Sequence, residues 1–339
     1  MSAPLLSVVL PAYNAEAYLE SAVQSVLRQS FENFELIVID DGSKDRTAAI
    51  LGKIDDRRLR VIRHERNAGL IAGLNEGVAT ATGKFIARMD ADDICEPSRF
   101  HRQIECLETH PEIGVLGTAV KVIDEQGRLG VTFVMPVSSL DVEWAMPLLC
   151  PVAHPSVMMR TDLVRRVGGY SSAARHAEDY DLWHRLSGLT QVANLRAPLL
   201  RLRKHAASVT SAQRDVHLDA ATAVAQAVIH QRLNEEVPAA VIRCLRSWGQ
   251  TDSTFALQAA QLLSRLLKRL VCARPRPSSG RARRDAAIRI AYLARHVTGS
   301  RERVQLLREA HSAYPLVLPA IARKTLLRFA PGATRDLIG

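Results

Sequence analysis

The N-terminal half of the chain alternates between short apolar runs and stretches in which apolar residues recur every three or four positions. Short, largely apolar runs at residues 7–10, 34–39, 59–62 and 84–89 predict strands, of which the first two are expected to be buried. Helical spacing predicts helices between them, the first over residues 16–29, with Asn14 placed to cap it. This alternation predicts an α/β fold: a mostly parallel sheet with helices on both faces.

The pattern changes along the rest of the chain. A helix is expected from Pro97 to His110, then a strand at residues 113–117 and a hairpin turn at residues 124–127. Mixed elements follow to about residue 203, and from about residue 217 the spacing is helical. We therefore predict two domains, residues 1–215 and a mainly α-helical region at residues 216–339, with an exposed linker at residues 274–281.

Composition is that of a soluble globular protein, with 47% hydrophobic and 24% charged residues among 339. The N-terminus lacks the basic start of a signal peptide, and no apolar run approaches about 18 residues. The five cysteines form no CxxC pair, which argues against a disulfide framework or zinc site. We therefore expect a cytoplasmic protein in a reducing compartment.

Charge is unevenly distributed along the chain. Residues 241–339 contain 19 Lys and Arg against 5 Asp and Glu, whereas the first 240 residues carry a small acidic excess. A basic tail of this kind favours attraction to an anionic surface. Within it, residues 262–271 are apolar on one side and cationic on the other. This stretch could lie on the inner face of the plasma membrane or pack on the rest of the protein. Nucleic-acid binding is not expected, because no recognised motif or aromatic platform accompanies the charge.

Three of the first four predicted strands end in polar or aromatic groups. The first ends at Pro11-Ala-Tyr13, the second at Asp40-Asp41, and the fourth at Asp90-Ala-Asp-Asp93. Because ligands of open α/β sheets bind beyond the carboxyl ends of the strands, these groups should converge on one site. Their chemistry suits a nucleotide sugar.

The ordered motifs resemble the family 2 glycosyltransferases of GT-A fold. The resemblance covers roughly residues 5–210 and is carried by Ser7-Val-Val-Leu-Pro-Ala-Tyr-Asn14, Phe34-Glu-Leu-Ile-Val-Ile-Asp-Asp-Gly-Ser43, Ile86-Ala-Arg-Met-Asp-Ala-Asp-Asp93, His154-Pro-Ser-Val-Met-Met-Arg160, Gly168-Gly-Tyr170 and Glu178-Asp-Tyr-Asp-Leu-Trp183. It implies an inverting transfer of a sugar from a nucleotide diphosphate onto a hydroxyl. The acceptor would be a surface polysaccharide, a glycolipid, a glycoprotein glycan or a lipid-linked carrier.

The acidic cluster at residues 90–93 resembles the family's DxD motif. By that resemblance Asp92 binds a divalent cation, Mn²⁺ or Mg²⁺, while Asp90 holds the ribose or supports the cation through water. A hard cation with oxygen ligands neutralises charge that grows on the departing pyrophosphate. The alternative is a solvated acidic turn in which Asp93 caps a helix.

Positions in the first two strand-end loops match the family's base-binding residues. Tyr13 would stack on a pyrimidine, and Asp41 would accept the imide N–H of uracil or thymine. Pro11 is grouped with these nucleotide-binding positions, although it and Asn14 suit a loop-shaping role better. The alternative is that Tyr13 merely packs and Asp41 is a turn residue.

Asp179 matches the family's catalytic base. One carboxylate near the acceptor hydroxyl takes its proton in an inverting transfer. Glu178 and Asp181 are nearby competitors, and acids at a helix N-terminus can simply complement its dipole. Trp183 could form a wall of the acceptor site or pack in the core, and His154 is interpreted as structural. Two other functions stay open: a catalytically silent nucleotide-sugar-binding protein and a peripheral membrane adaptor acting through the tail.

Overall fold

The structure is a computed structural model that describes residues 3–205, 214–246, 253–272 and 279–315. The chain forms two compact units. The N-terminal unit comprises Met1–Ser139 and Pro151–Gln213, and the C-terminal unit comprises Leu140–Cys150 and Arg214–Gly339. Most of the predicted linker, at residues 274–281, lies outside the described residues.

A nine-stranded sheet forms the centre of the N-terminal unit. Its strands are β1 (Leu6–Ala12), β2 (Phe34–Asp40), β3 (Leu59–Arg63), β4 (Phe85–Arg88), β5 (Ile94–Cys95), β6 (Ile113–Ile123), β7 (Leu129–Phe133), β8 (Met158–Arg160) and β9 (Gln191–Arg203). The helices of this unit are α1 (Leu19–Leu27), α2 (Thr47–Leu51), α3 (Leu70–Thr80), α4 (Arg99–Thr109), α6 (Thr161–Arg166) and α7 (Glu178–Ser187), while α5 (Ser139–Ala145) leads into the C-terminal unit.

Strand order in the sheet is β3-β2-β1-β4-β8-β6-β9-β5, with β7 paired to β6. The four strands β1 to β4 are mutually parallel where they pair, so their carboxyl ends meet at one edge. Strand β8 is antiparallel to both β4 and β6, and β5 is antiparallel to β9. The α/β fold is confirmed, and the later strands make the sheet mixed.

Alternating residues of β1 explain why helices cover both faces of the sheet. Val8 and Leu10 share a core with apolar residues of α1 and α4. Val9 points the other way, toward α3, where a Cβ on Gly77 would lie only 2.3 Å from Val9 Cγ1. A glycine in α3 therefore permits the close approach of helix to sheet.

The predicted capping role of Asn14 is wrong. Helix α1 begins at Leu19, and its N-cap position, Tyr18, makes no capping hydrogen bond through its side chain. Asn14 instead has φ of 49°, and its Oδ1 accepts a hydrogen bond from Lys44 N at 2.9 Å. An amide side chain tolerates this left-handed backbone and ties two loops together. The loop-shaping interpretation of Asn14 agrees with this contact.

The C-terminal unit is helical. Its helices are α8 (Arg214–Leu233), α9 (Ala239–Arg246), α10 (Ser253–Val271), α11 (Gly280–Ala294) and α12 (Ser300–Ala313). Apolar residues of α5 and the following segment belong to the same core, including Leu140, Trp144 and Leu148. Trp144 Nε1 donates to Asp285 Oδ2 at 2.8 Å. The C-terminal unit therefore includes residues 140–150, which are separated in sequence from the rest of that unit.

The amphipathic stretch of residues 262–271 lies in α10. Its leucines at 262, 263, 266, 267 and 270 are buried in the core of the C-terminal unit, while Lys268 and Arg269 are exposed. Packing within the protein therefore accounts for the apolar side of this helix. Across the part of the chain that the structure describes, no helix has the length and apolar character needed to cross a membrane.

Candidate active site

Three carboxylates gather directly after β4. Asp90, Asp92 and Asp93 each place an oxygen within 4.8 Å of the others. The loop that carries them is short because β5 begins at Ile94. Strand β5 pairs with β9 at one edge of the sheet. The sheet thus fixes both ends of the acidic loop.

Buried Arg88 and partly exposed Asp90 form an ion pair in which both guanidinium Nη atoms contact the carboxylate. Burial raises the pKa of Asp90; Arg88 opposes that rise, whereas the charges of Asp92 and Glu178 add to it. Asp90 is therefore oriented by Arg88, and any contact with a ribose or hydrated cation would use its remaining lone pairs.

Asp93 is the most deeply buried acid of the three. Its Oδ1 accepts from Arg203 N at 2.8 Å, whereas its buried Oδ2 has no hydrogen-bond partner among the described residues. Burial and the charges of Asp90 and Asp92 raise its pKa well above the usual value. Asp93 is thus not a solvated cap, and α4 begins only at Arg99.

The donor set of this cluster fits a hard divalent cation. Its ligand atoms are all carboxylate oxygens, which Mg²⁺ and Mn²⁺ prefer. A buried oxygen without a partner and a raised carboxyl pKa both indicate uncompensated negative charge. A cation bound to the cluster would give the buried oxygen a partner and would lower the raised carboxyl pKa.

Two residues that the sequence did not single out complete the cluster. His205 Nε2 lies 2.9 Å from Asp92 Oδ2, and Arg203 Nε donates to Asp92 O at 2.8 Å. The Arg203 guanidinium also stacks over Tyr18, 4.4 Å from the ring centroid. Both residues come more than 100 positions after the acids, so only the pairing of β5 with β9 reveals their role.

The loops after β1 and β2 meet where the base was predicted to bind. Asp41 N donates to Ala12 O at 2.9 Å, which ties Asp41 to the loop that carries Pro11 and Tyr13. Pro11 lies within β1, aligned with Ile39 of β2. Tyr13 is 50% exposed, so it is available for stacking on a base. These positions come together, while their contact with a nucleotide stays a prediction.

The Asp41 carboxylate is nearly saturated with donors. Its Oδ1 accepts from Ala68 N at 2.8 Å and lies 2.7 Å from His64 Nδ1, and its Oδ2 accepts from Gly69 N at 2.8 Å. A carboxylate offers about four acceptor positions, so these contacts leave one on Oδ2. Asp41 can therefore accept one further N–H.

Gly42 makes this arrangement possible. It has φ of +73°, and a Cβ at this position would lie 2.6 Å from Arg66 C. Only glycine allows the β2 loop to approach residues 66–67 this closely. The segment that contains Ala68 and Gly69, whose N–H groups donate to Asp41, consequently lies against the end of β2.

The predicted base Asp179 lies in the first turn of α7. Its Oδ1 accepts from Tyr180 N at 2.7 Å. Asp181 is paired with Arg185, whose Nη atoms donate to Val167 O and Gly169 O. Asp181 is thus a structural residue. Asp179 and Glu178 are both partly exposed, and the assignment of the base stays a prediction.

His154 and Trp183 lie in the core beside this helix. His154 Nε2 is 2.8 Å from the Tyr170 hydroxyl, and Trp183 is fully buried. Burial and the charge of Arg88 lower the pKa of His154 well below the usual value, so the imidazole is neutral. The structural interpretation of His154 agrees with these contacts, and Trp183 packs in the core.

A mixed sheet of this order, with an acidic loop after its fourth strand, defines the GT-A class of glycosyltransferases. Residues 7–167 match the sequence model described as Glycosyl transferase family 2. The chain belongs to this family and is a glycosyltransferase.

Individual relatives support the same assignment. An uncharacterised glycosyltransferase of Haemophilus influenzae is 34% identical over 219 residues, which cover 61% of this chain and 68% of the relative. The amylovoran biosynthesis glycosyltransferase AmsE of Erwinia amylovora is 34% identical over 204 residues, covering 59% and 76%. Among solved structures, S. aureus TarS in complex with UDP-GlcNAc is similar in fold, with a TM-score of 0.58 at 18% identity over 94% of this chain and 92% of that one.

Proposed function

We propose that this glycosyltransferase moves a sugar from a UDP-type donor onto an acceptor hydroxyl, with inversion at the anomeric carbon and with help from a divalent cation. The observation that carries the proposal is the cluster of three carboxylates directly after β4, whose oxygens lie within 4.8 Å of one another. Burial raises the pKa of Asp90, and the charge of Glu178 in α7 adds to that rise, which agrees with a position of the candidate base helix near the cluster. In this proposal the acidic cluster would hold the cation, and Asp179 in α7 would supply the base.

Asp92 would hold Mn²⁺ or Mg²⁺, supported by Asp90 and Asp93. When bound, such a cation neutralises the charge that develops on the departing diphosphate. Arg88 fixes Asp90, and His205 and Arg203 orient Asp92 through a side-chain and a backbone contact. The loop is therefore organised before the donor arrives, which avoids reorganisation during the reaction.

Asp179 is the proposed general base. As the acceptor oxygen bonds to the anomeric carbon, its proton passes to the Asp179 carboxylate. The bond from that carbon to the phosphate oxygen breaks, and UDP departs with the electron pair. No covalent enzyme intermediate is required, so one base carboxylate is sufficient.

Support for a UDP donor comes from the base pocket. Asp41 retains one acceptor position, which suits the imide N–H of uracil or thymine and would oppose the ring acceptor of cytosine. Exposed Tyr13 offers a stacking surface beside it. TarS, which shares the fold, was solved with UDP-GlcNAc.

The acceptor is proposed to be a glycan, glycolipid or lipid-linked carrier in surface polysaccharide synthesis at the cytoplasmic face of the membrane. AmsE, a relative, is named an amylovoran biosynthesis glycosyltransferase, which supports a role in biosynthesis. Contact with an anionic membrane would use exposed cations such as Lys268 and Arg269, because the apolar side of α10 is buried.

The experiment is a donor screen with the purified full chain. UDP-sugars, CDP-sugars and GDP-sugars are incubated with Mn²⁺, with Mg²⁺ and with excess chelator, and release of the nucleoside diphosphate is measured. We expect release from a UDP-sugar only when the cation is present. Nucleotide binding without turnover for every donor and acceptor would favour the catalytically silent alternative. Release in chelator would contradict the role of the cation.

A further inference from the structure

His64 lies between two carboxylates at the edge of the base pocket. Its Nδ1 is 2.7 Å from Asp41 Oδ1, and its Nε2 is 2.5 Å from Glu76 Oε2 on α3. Because carboxylates only accept, each ring nitrogen must carry a proton to make both bonds. The geometry therefore requires an imidazolium that links β2, β3 and α3 through charge-assisted hydrogen bonds.

The electrostatics of this bridge agree with its geometry. The hydrogen bond to Asp41, then that to Glu76, raises the pKa of His64, and burial only partly opposes the rise. Burial acts to raise the pKa of Asp41, but the hydrogen bonds from Ala68 N, His64 and Gly69 N together lower it. Among the described residues, the neighbours Arg63 and Asp40 form a further charged pair, with Arg63 Nε 3.5 Å from Asp40 Oδ2.

We propose that His64 is a positioning residue that holds Asp41 ionised and oriented for recognition of the uracil base. This inference rests on the proposed UDP donor. Without His64, Asp41 would keep only the two backbone donors of the following loop, and its carboxylate could rotate away from the base. His64 thereby sets the preference for uracil over cytosine without touching the nucleotide.

Two substitutions separate the contacts of the imidazole. His64→Asn places an amide nitrogen close to the position of Nδ1 and can still donate to Asp41. His64→Gln reaches toward the position of Nε2 and Glu76, and it loses the bond to Asp41. His101→Gln, at an exposed position on α4, is the matched surface control.

The measurement is the dissociation constant of UDP and of CDP, by calorimetry with Mn²⁺, for the full-length variants. We expect His64→Gln to weaken UDP binding about tenfold, the effect of losing the hydrogen bond between the Asp41 carboxylate and the uracil imide N–H. CDP binding should change much less, so the ratio of the two constants should fall. His64→Asn should recover most of the preference, and His101→Gln should match the wild type.

The pH profile tests the charge of the bridge. The pKa of His64 in the folded protein lies above its ordinary value of about 6.5, so the imidazolium persists below that raised pKa and is lost as pH rises through it. UDP affinity relative to His64→Gln should therefore be greatest below the raised pKa and decline as pH rises through it. Glu76→Gln removes one stabilising carboxylate, so the decline should move to lower pH.

Asp41→Asn distinguishes failure of this inference from failure of the proposed function. If Asp41→Asn abolishes the UDP preference and His64→Gln leaves it intact, the inference is wrong and the base pocket stands. If neither variant alters the preference, Asp41 does not read the base and the inference fails, whereas a wild type that shows no preference for UDP over CDP would contradict the proposed UDP donor. An equal loss of UDP and CDP affinity in His64→Gln would reduce His64 to a structural residue and would also overturn the inference.

Discussion

Replacement of Asp179 by Asn is the sharpest test of the proposed chemistry. The Asp179 Oδ1 accepts a hydrogen bond from Tyr180 N, which the carbonyl oxygen of Asn can also accept. The side chain should therefore keep its orientation and lose only the ability to take a proton. A positioned general base contributes about 10²–10⁴-fold in rate, or about 3–5 kcal/mol of the barrier.

The assay measures transfer rate and donor affinity separately. We expect Asp179→Asn to lower transfer by about 10²–10⁴-fold while UDP-sugar affinity stays near that of the wild type. Asp181→Asn is the matched control on the same helix. Because Asp181 pairs with Arg185, its loss should lower stability by up to about 1 kcal/mol and leave the transfer rate nearly normal.

Glu178→Gln is the harder control, because Glu178 lies one position away and acts electrostatically on Asp90. If Asp179→Asn transfers sugar at a near-normal rate and Glu178→Gln does not, Glu178 is the base. If both variants remain active, the base lies elsewhere and the proposed mechanism is refuted.

Three further results are expected. Asp92→Asn should abolish turnover and weaken donor binding in Mn²⁺ or Mg²⁺, whereas full activity of the wild type in excess chelator would contradict a cation at this site. UDP should raise the melting temperature more than CDP or GDP does, with thymidine diphosphate close behind, and Tyr13→Ala should reduce that shift. Equal shifts for all nucleotides would show that the base is not read. If the basic tail binds anionic vesicles, the double variant Lys268→Gln and Arg269→Gln should float less with them, and salt should weaken binding of the wild type. Equal flotation of the wild type and the double variant would show that Lys268 and Arg269 do not contribute to membrane binding.

The vesicle experiment uses substitutions because the structure argues against truncation near residue 215. Leu140, Trp144 and Leu148 pack in the core of the C-terminal unit. Removing residues after 215 would expose these side chains, and any change in vesicle binding would then be difficult to attribute to charge.

The sequence by itself determined the first half of the fold and the candidate chemistry. Four short strands separated by helical spacing specify a parallel sheet, and parallel strands place their carboxyl ends together. Tyr13, Asp41 and the acids at 90–93 could therefore be predicted to converge without a structure. Asp179 was predicted from its resemblance to the family motif, because the spacing of apolar residues indicated only that it lies at the start of a helix.

Only the tertiary structure decided which side chains support those residues. His64 reaches Asp41 across a loop, and His205 reaches Asp92 through the antiparallel pairing of β5 with β9. A single histidine far away in sequence carries no periodic signal, and antiparallel strand pairing between distant segments leaves no local pattern. The burial of Trp183 and the place of α5 in the helical core depend likewise on long-range packing, which local spacing does not encode.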